Sequence, residues 1–433
     1  MKLRTENYKK GAIYSSGFSV GVKFVAFIQN ILIAFYLGAG TGTDIYFYLF
    51  ELIMVGSGIV QNVTSAVLIP RSMQLRSQQQ FDEERRYLNA FTYMVAGMFV
   101  LITGVGLIGG VAGLRLISQF NEADIHQYAW LLYILLPASL PHTCSLIFAE
   151  ILASHKYFTF PQFVAVGNNL LIIACVVLFH RVWGVASLAI GFAIGACVNF
   201  VWLLLFMKRH LSWRYSCVSF TQVKKSLSDM GAVFTNHLVI AFASMFPLYM
   251  LSMFYPGTVT VVTYAHKLLL APVNLFTQLF AVLQIKLSEL YAANVLPELR
   301  RTFLRIGGGA VGVSIVGAIL FYWLRAPIIE LFFGHGAMTP EGTRLLIDLM
   351  GILIVTIPFI VLVSVASRLL YAVQRPKSYS AVIIPVNLLT CLFYALFIRS
   401  HGTVGYAYSD VLSEIIKAVA IAVCLYYLLK KWK

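Results

Sequence analysis

Runs of about 20 consecutive apolar residues recur from one end of the chain to the other, and each is long enough to cross a hydrocarbon core roughly 30 Å thick. No motif in the sequence constrains the fold as strongly. Lipid offers no water to a peptide group, so a crossing segment must satisfy its own backbone, and runs of this kind are helices. The charge content agrees. Asp, Glu, Lys and Arg make up 11% of the 433 residues, against roughly a quarter in a soluble domain. A surface so poor in charge faces lipid over most of its area. The expectation is an all-α, polytopic membrane protein with little mass outside the bilayer.

About twelve spans are predicted, at 12–37, 45–69, 89–113, 127–153, 158–180, 183–207, 229–254, 261–285, 303–324, 345–371, 378–398 and 404–429. The first follows a basic tail (Lys2, Arg4, Lys9, Lys10), but it is too long for a signal-peptide core and no small-residue cleavage site follows, so it reads as a span. Basic residues set the orientation. They crowd the N-terminal tail, the connection after the second span (Arg71, Arg76, Arg85, Arg86), the central loop (Lys208, Arg209, Arg214, Lys224, Lys225) and the C-terminal tail (Lys430, Lys431, Lys433). The opposite connections carry few, among them Arg115, Arg181, Arg325 and Arg399. Both termini are therefore expected in the cytoplasm. The net charge of +15 reads as a rim facing anionic headgroups, not a nucleic-acid surface, because the bases are scattered over short loops.

The spans divide into two sets of six about a polar centre: a bundle at 1–210, a cytoplasmic linker at 211–228 and a second bundle at 229–433. The halves share a register. Tyr46 pairs with Tyr264, Leu152 with Leu370, Asn169 with Asn387, Gly184 with Gly402 and Ala189 with Ala407, every pair 218 apart. Six is even, so both halves enter from the same side. Two parallel six-helix repeats follow, related by an axis along the membrane normal.

An ionisable group at membrane depth is costly unless it faces a cavity or a partner. Lys23 lies about eleven residues into the first span, roughly 16 Å at 1.5 Å per residue. Gln29 and Asn30 follow it. Glu51, Gln61 and Asn62 fall in the second span, Asn236 and His237 in the seventh, and Lys267 early in the eighth. Polarity thus gathers on the first two spans of each half, as it would if they lined a cavity. For the two lysines, a cationic site for an anionic cargo stands beside snorkelling of the ammonium to an interface. Glu51 reads as an ion-coupling carboxylate, a partner of one of these lysines, or a plain cavity-wall group. The six cysteines have no metal-ligand spacing and read as small hydrophobes. No GxSxG, HExxH or phosphate-binding loop is present, and GGGAVG at 307–312 reads as close helix packing. No cofactor is expected.

Several stretches in the same order resemble one known family. They are ILIAFYLGAGTGTDIYFYLF (31–50), AEILASHKYFTFPQFVAVGNNLLIIA (149–174), VTYAHKLLLAPVNLFTQLFAVLQIKLSEL (262–290), LFFGHGAMTPEGT (331–343) and SRLLYAVQRPKS (367–378). Together they resemble the MurJ/MviN branch of the multidrug/oligosaccharidyl-lipid/polysaccharide transporter superfamily, whose fold is MATE-like. The resemblance implies a flippase, not an enzyme. It moves a polyprenyl-pyrophosphate-linked saccharide across the bacterial inner membrane by alternating access, with membrane lipids and envelope-biosynthesis enzymes as partners. It also places Lys267 where the family has a cavity arginine, Lys23 near a second basic position, and Asp44 on a family aspartate at the outer end of the second span.

The family's Arg-Asp pair in the first span is Gln29 and Asn30 here, an acidic position in the second is Gln61, and lipid II flippases of this branch carry two further spans. Lipid II and a surface-polysaccharide unit, such as an O-antigen or exopolysaccharide unit, both remain as cargo. Beside them stand a cation-coupled multidrug exporter of the same superfamily, a membrane polymerase or glycosyltransferase, and a non-transporting scaffold for envelope assembly.

Overall fold

The computed structural model describes residues 8–211, 213–214 and 237–430, which are helical almost throughout, with no strand among them. Contacts group the chain into two compact units, Met1–Met245 and Phe246–Lys433.

In the first unit, α1 (Tyr8–Leu37) ends where Gly38 takes a left-handed φ of 64° and its N–H donates to the Ala34 carbonyl at 3.0 Å. Glycine suits that position because no Cβ opposes the turn. α2 (Thr41–Val63) begins after two more residues, and the Gly40 N–H donates to Thr43 Oγ1 at 2.9 Å. The rod then runs on through a π turn, Thr64–Leu68, into α3 (Ile69–Ser77). Pro70 accounts for the wide turn: it has no N–H for the Ala66 carbonyl and its ring crowds that oxygen, so one extra residue per turn relieves the clash. The second span is accordingly longer than the sequence suggested.

α4 (Phe81–Ile117) bends at Gly110, and the short α5 (Glu122–Tyr128) leads to α6 (Trp130–Ser154), α7 (Thr159–Trp183) and α8 (Ala186–His210). α6 is the central post, packed on α2, α4 and α8, while α1 lies on α7. Leu88, Phe91, Phe148, Ile151, Leu152, Leu203 and Met207 close the core between them. The outer surface is just as apolar: Ile108, Val182 and Leu116 are 90%, 78% and 83% exposed. Such a surface aggregates in water and is at home in lipid.

The second unit begins within α9 (His237–Leu251) and continues through α10 (Thr258–Ala292), α11 (Leu296–Phe333), α12 (Pro340–Leu353) and, after one tight turn, α13 (Ile357–Ala372) and α14 (Pro376–Lys430). α13 packs on α10, α11 and α14, the place that α6 holds in the first unit. α14 is 55 residues long, about 80 Å of helix, more than two bilayer cores. It breaks at Gly402, with φ 59° and ψ −137°. The two arms fold back on each other. Gly405 lies directly against the Phe397 carbonyl, the Tyr394 and Tyr406 rings stack at 5.6 Å, and the Thr390 and Ser413 hydroxyls are 2.6 Å apart.

The register read from the sequence recurs in the backbone. Gly184, at the turn between α7 and α8, has φ 51° and ψ −129°, nearly the geometry of its partner Gly402. Lys156 and Gln374, also 218 apart, both adopt left-handed φ, at 66° and 58°. Tyr46 and Tyr264, Leu152 and Leu370, and Ala189 and Ala407 are buried in their respective units.

Nine helical segments among the described residues are long and apolar enough to cross a membrane, against the twelve spans expected. Ser378–Lys430 counts as one of the nine although Gly402 divides it into two arms, whereas α9 and α10 are outside that set. The glycine-rich stretch also differs from expectation. Gly307 packs on Val365, but open space surrounds Gly308, Gly309 and Gly312. Most of that run exposes a smooth face and does not seat a neighbouring helix.

A methyl at Gly405 has nowhere to go, since backbone atoms of Phe397 and Ile398 already occupy its position. Gly405→Ala is expected to destabilise the protein by about 1–3 kcal/mol, read as a lower melting temperature in detergent. The same substitution at Gly308 should leave the melt unchanged.

Candidate functional site

α2 carries more of the predicted polar positions than any other helix. Asp44 lies in its first turn and is buried, where the free N–H groups and positive end of the helix favour a carboxylate. Glu51, seven residues on and half-buried, falls on the same face. Gln61, near the far end, donates from Nε2 to Glu150 Oε1 of α6 at 3.1 Å. Asn62 is exposed just before the π turn. Below the Gln61 level, Ser57 and Thr143 share a buried hydrogen bond of 2.8 Å, so two polar links join α2 to α6.

On α1, Lys23 is half-buried among apolar neighbours in sequence. Gln29 Oε1 is buried with no hydrogen-bond partner among the described residues. Asn30 differs: its Nδ2 donates at 2.7 Å to the Ala26 carbonyl of its own helix. In the second unit, Lys267 is half-buried on α10 beside the exposed His266. Asn236 lies outside the described residues.

Five further ionisable groups lie inside helices. Glu150 is the partner of Gln61. Arg368 of α13 donates from Nη1 to Gln284 Oε1 of α10 at 3.1 Å, while its Nε is buried without a partner among the described residues. Asp410, Glu414 and Lys417 fall on one face of the second arm of α14, at spacings i, i+4 and i+7. Tyr394 donates to Asp410 Oδ1 at 3.2 Å, and Lys417 Nζ donates to Glu414 Oε1 at 2.9 Å. The Glu414 and Lys417 side chains are 14% and 16% exposed. Three charges at that spacing in one apolar span are a readable signal, because each is costly there unless paired.

A further buried cluster stands at the end of the α2–α3 rod. Arg76 pairs with the buried Glu84 of α4, Ser72 Oγ donates to the same carboxylate at 2.6 Å, and Arg76 Nη1 donates to the Ser154 carbonyl at 2.9 Å. Burial holds the neighbouring His155 below the usual histidine range, so the ring stays neutral beside the guanidinium. This cluster ties α3, α4 and α6 together.

The arrangement suits transport better than catalysis. Cations and amides lie within long apolar helices, and no nucleophile is paired with a base among them. A family model described as lipid II flippase MurJ matches residues 33–433. A probable lipid II flippase MurJ of Buchnera aphidicola subsp. Acyrthosiphon pisum (strain APS) is 23% identical over 375 residues, covering 82% of this chain and 71% of that protein. In fold, the chain is similar to a solved lipid II flippase MurJ in an inward closed conformation, with a TM-score of 0.84 at 19% identity, covering 96% of this chain and 87% of that one. It is also similar to a MATE family multidrug resistance transporter in an inward-facing conformation, with a TM-score of 0.80 at 14% identity, covering 97% and 98%. The all-helical membrane fold is therefore the one that MurJ and MATE transporters share.

Proposed function

This chain belongs to the lipid II flippase MurJ family, and from that membership we propose that it translocates a polyprenyl-pyrophosphate-linked saccharide, foremost lipid II, across the bacterial inner membrane. The family match over residues 33–433 carries this reading. The polar groups within apolar helices supply the chemistry. Lys23 in the first unit and Lys267 in the second are each a compact point charge suited to phosphate. Arg368, with a buried guanidinium nitrogen to spare, adds a third cation. Gln29, Asn30, Asp44, Glu51, Gln61 and Asn62 are the polar positions of this reading among the described residues.

The cycle is alternating access between the two six-helix bundles, with both termini in the cytoplasm. The anionic headgroup drives it only through a difference in its affinity for the two states. A charge moving with the membrane field gains about 2.3 kcal/mol per 100 mV, enough to bias reorientation. Enzymes of envelope biosynthesis supply the cargo on one face and consume it on the other.

A surface-polysaccharide unit is the second reading. Gln29 and Asn30, standing where the family resemblance has a charged Arg-Asp pair, favour it. Expression of this chain in a bacterium depleted of its own lipid II flippase separates the two. Lipid II should become accessible to a lipid II-cleaving enzyme added outside the cells. No restored access, together with rescue of a strain lacking a polysaccharide-unit flippase, would overturn lipid II in favour of the second cargo. No rescue in either strain would sink both.

A further inference from the structure

Each unit has a groove at one end, and the two occupy matching positions in the repeat. In the first unit a groove of about 410 Å³ lies between α7 and α8, walled by Phe160, Trp202, Leu205 and Phe206 and closed at one end by Arg209 and His210. In the second a groove of about 240 Å³ lies between α13 and the arms of α14, walled by Leu370, Cys424, Tyr427 and Leu428, with Arg375 and Ser378 at its polar end. Phe160 and Ser378, Phe206 and Cys424, Arg209 and Tyr427, and His210 and Leu428 are each 218 residues apart. The same hollow is therefore built twice.

What differs is the source of the charge. The first groove takes its arginine from the end of α8. The second has Tyr427 at that position and takes its arginine from the connection before α14 instead. Sequence equivalence alone does not put a guanidinium at both sites. Both arginines are exposed, and neither is in an ion pair among the described residues. The walls are apolar and, in the first groove, aromatic: Phe160 and Phe206 stack at 3.9 Å, and Phe206 and His210 at 4.2 Å. An occupant complementary to both has a long apolar tail and an anionic head. The basic-residue bias puts both connections on the cytoplasmic side, where anionic lipids supply that chemistry.

We propose that the two grooves are anionic phospholipid sites, one per unit, each laying an acyl chain along its apolar walls and a phosphate against Arg209 or Arg375. Guanidinium suits the head because its fork matches phosphate oxygens two at a time. These sites are separate from the cargo residues and do not depend on which saccharide is carried.

Native mass spectrometry of the purified full chain tests the assignment, using phosphatidylglycerol and phosphatidylcholine with identical acyl chains. Up to two phosphatidylglycerol molecules should be retained in preference to phosphatidylcholine. Arg209→Ala and Arg375→Ala should each weaken retention about fivefold, and the double variant should fall to the phosphatidylcholine level. Leu205→Trp fills the first groove without touching its charge, and it should remove one of the two lipids. Equal retention of both lipids, unchanged retention in the double variant, or displacement by added inorganic phosphate would each overturn the proposal, the last by reducing the sites to simple anion pockets.

Discussion

Lys23→Ala and Lys267→Ala are each expected to lower cargo translocation by about ten- to a hundredfold at matched expression. Each removes one charge-assisted contact to phosphate, worth roughly 1.5–3 kcal/mol. The double variant should be inactive. Lys23 is half-buried well inside α1 and Lys267 is half-buried on α10, so neither is a surface charge whose loss water would mask. Arginine at either position keeps the charge and should retain most of the transport. Both readings of these lysines, cargo binding and snorkelling, meet in this experiment. A snorkelling lysine anchors its helix at an interface, so its loss shifts stability and leaves transport of the folded fraction intact. Full transport by the double variant, measured as external access to lipid II, removes both lysines from the site.

The second large effect concerns the Glu414–Lys417 pair. Removing one partner leaves the other charge uncompensated in the second arm of α14. Lys417→Met alone should cost about 3–5 kcal/mol, seen as a marked drop in melting temperature in detergent. Glu414→Gln combined with Lys417→Met leaves no charge behind and should recover most of that loss, since a buried ion pair replaced as a whole is often nearly neutral. A double-mutant cycle reads the coupling directly. If the double variant melts as low as Lys417→Met, the two side chains are not a coupled pair in the folded protein. Asp410, held by the Tyr394 hydroxyl on the same face, belongs in the cycle as a third position, because its charge acts on Glu414 from one turn away.

The sequence reading placed polarity on the first two spans of each half, and the structure widens that set. Arg368 and Gln284, 84 residues apart, meet between α13 and α10. Gln61 and Glu150, 89 apart, meet between α2 and α6. Asp410, Glu414 and Lys417 were legible as a spacing, but their engagement with Tyr394 and with each other was not. The glycines of 307–312 show the converse. Their composition suggested packing, yet Gly307 alone among those four glycines has a neighbour, because which face of α11 meets α13 is settled by the bundle and not by the run itself.

Lipid imposes its demand one segment at a time: a crossing stretch must be apolar and must bond its own backbone. That demand is written locally, so the sequence by itself determined the helical class, most of the spans and, through the 218-residue offset, the repeat that places Gly184 and Gly402 at equivalent turns. Pairing between helices obeys distance in space, and distance has no period in the chain. The tertiary structure alone decided that Gln61 answers Glu150, that Asn30 turns back on its own helix, and that two grooves recur with arginines drawn from different positions.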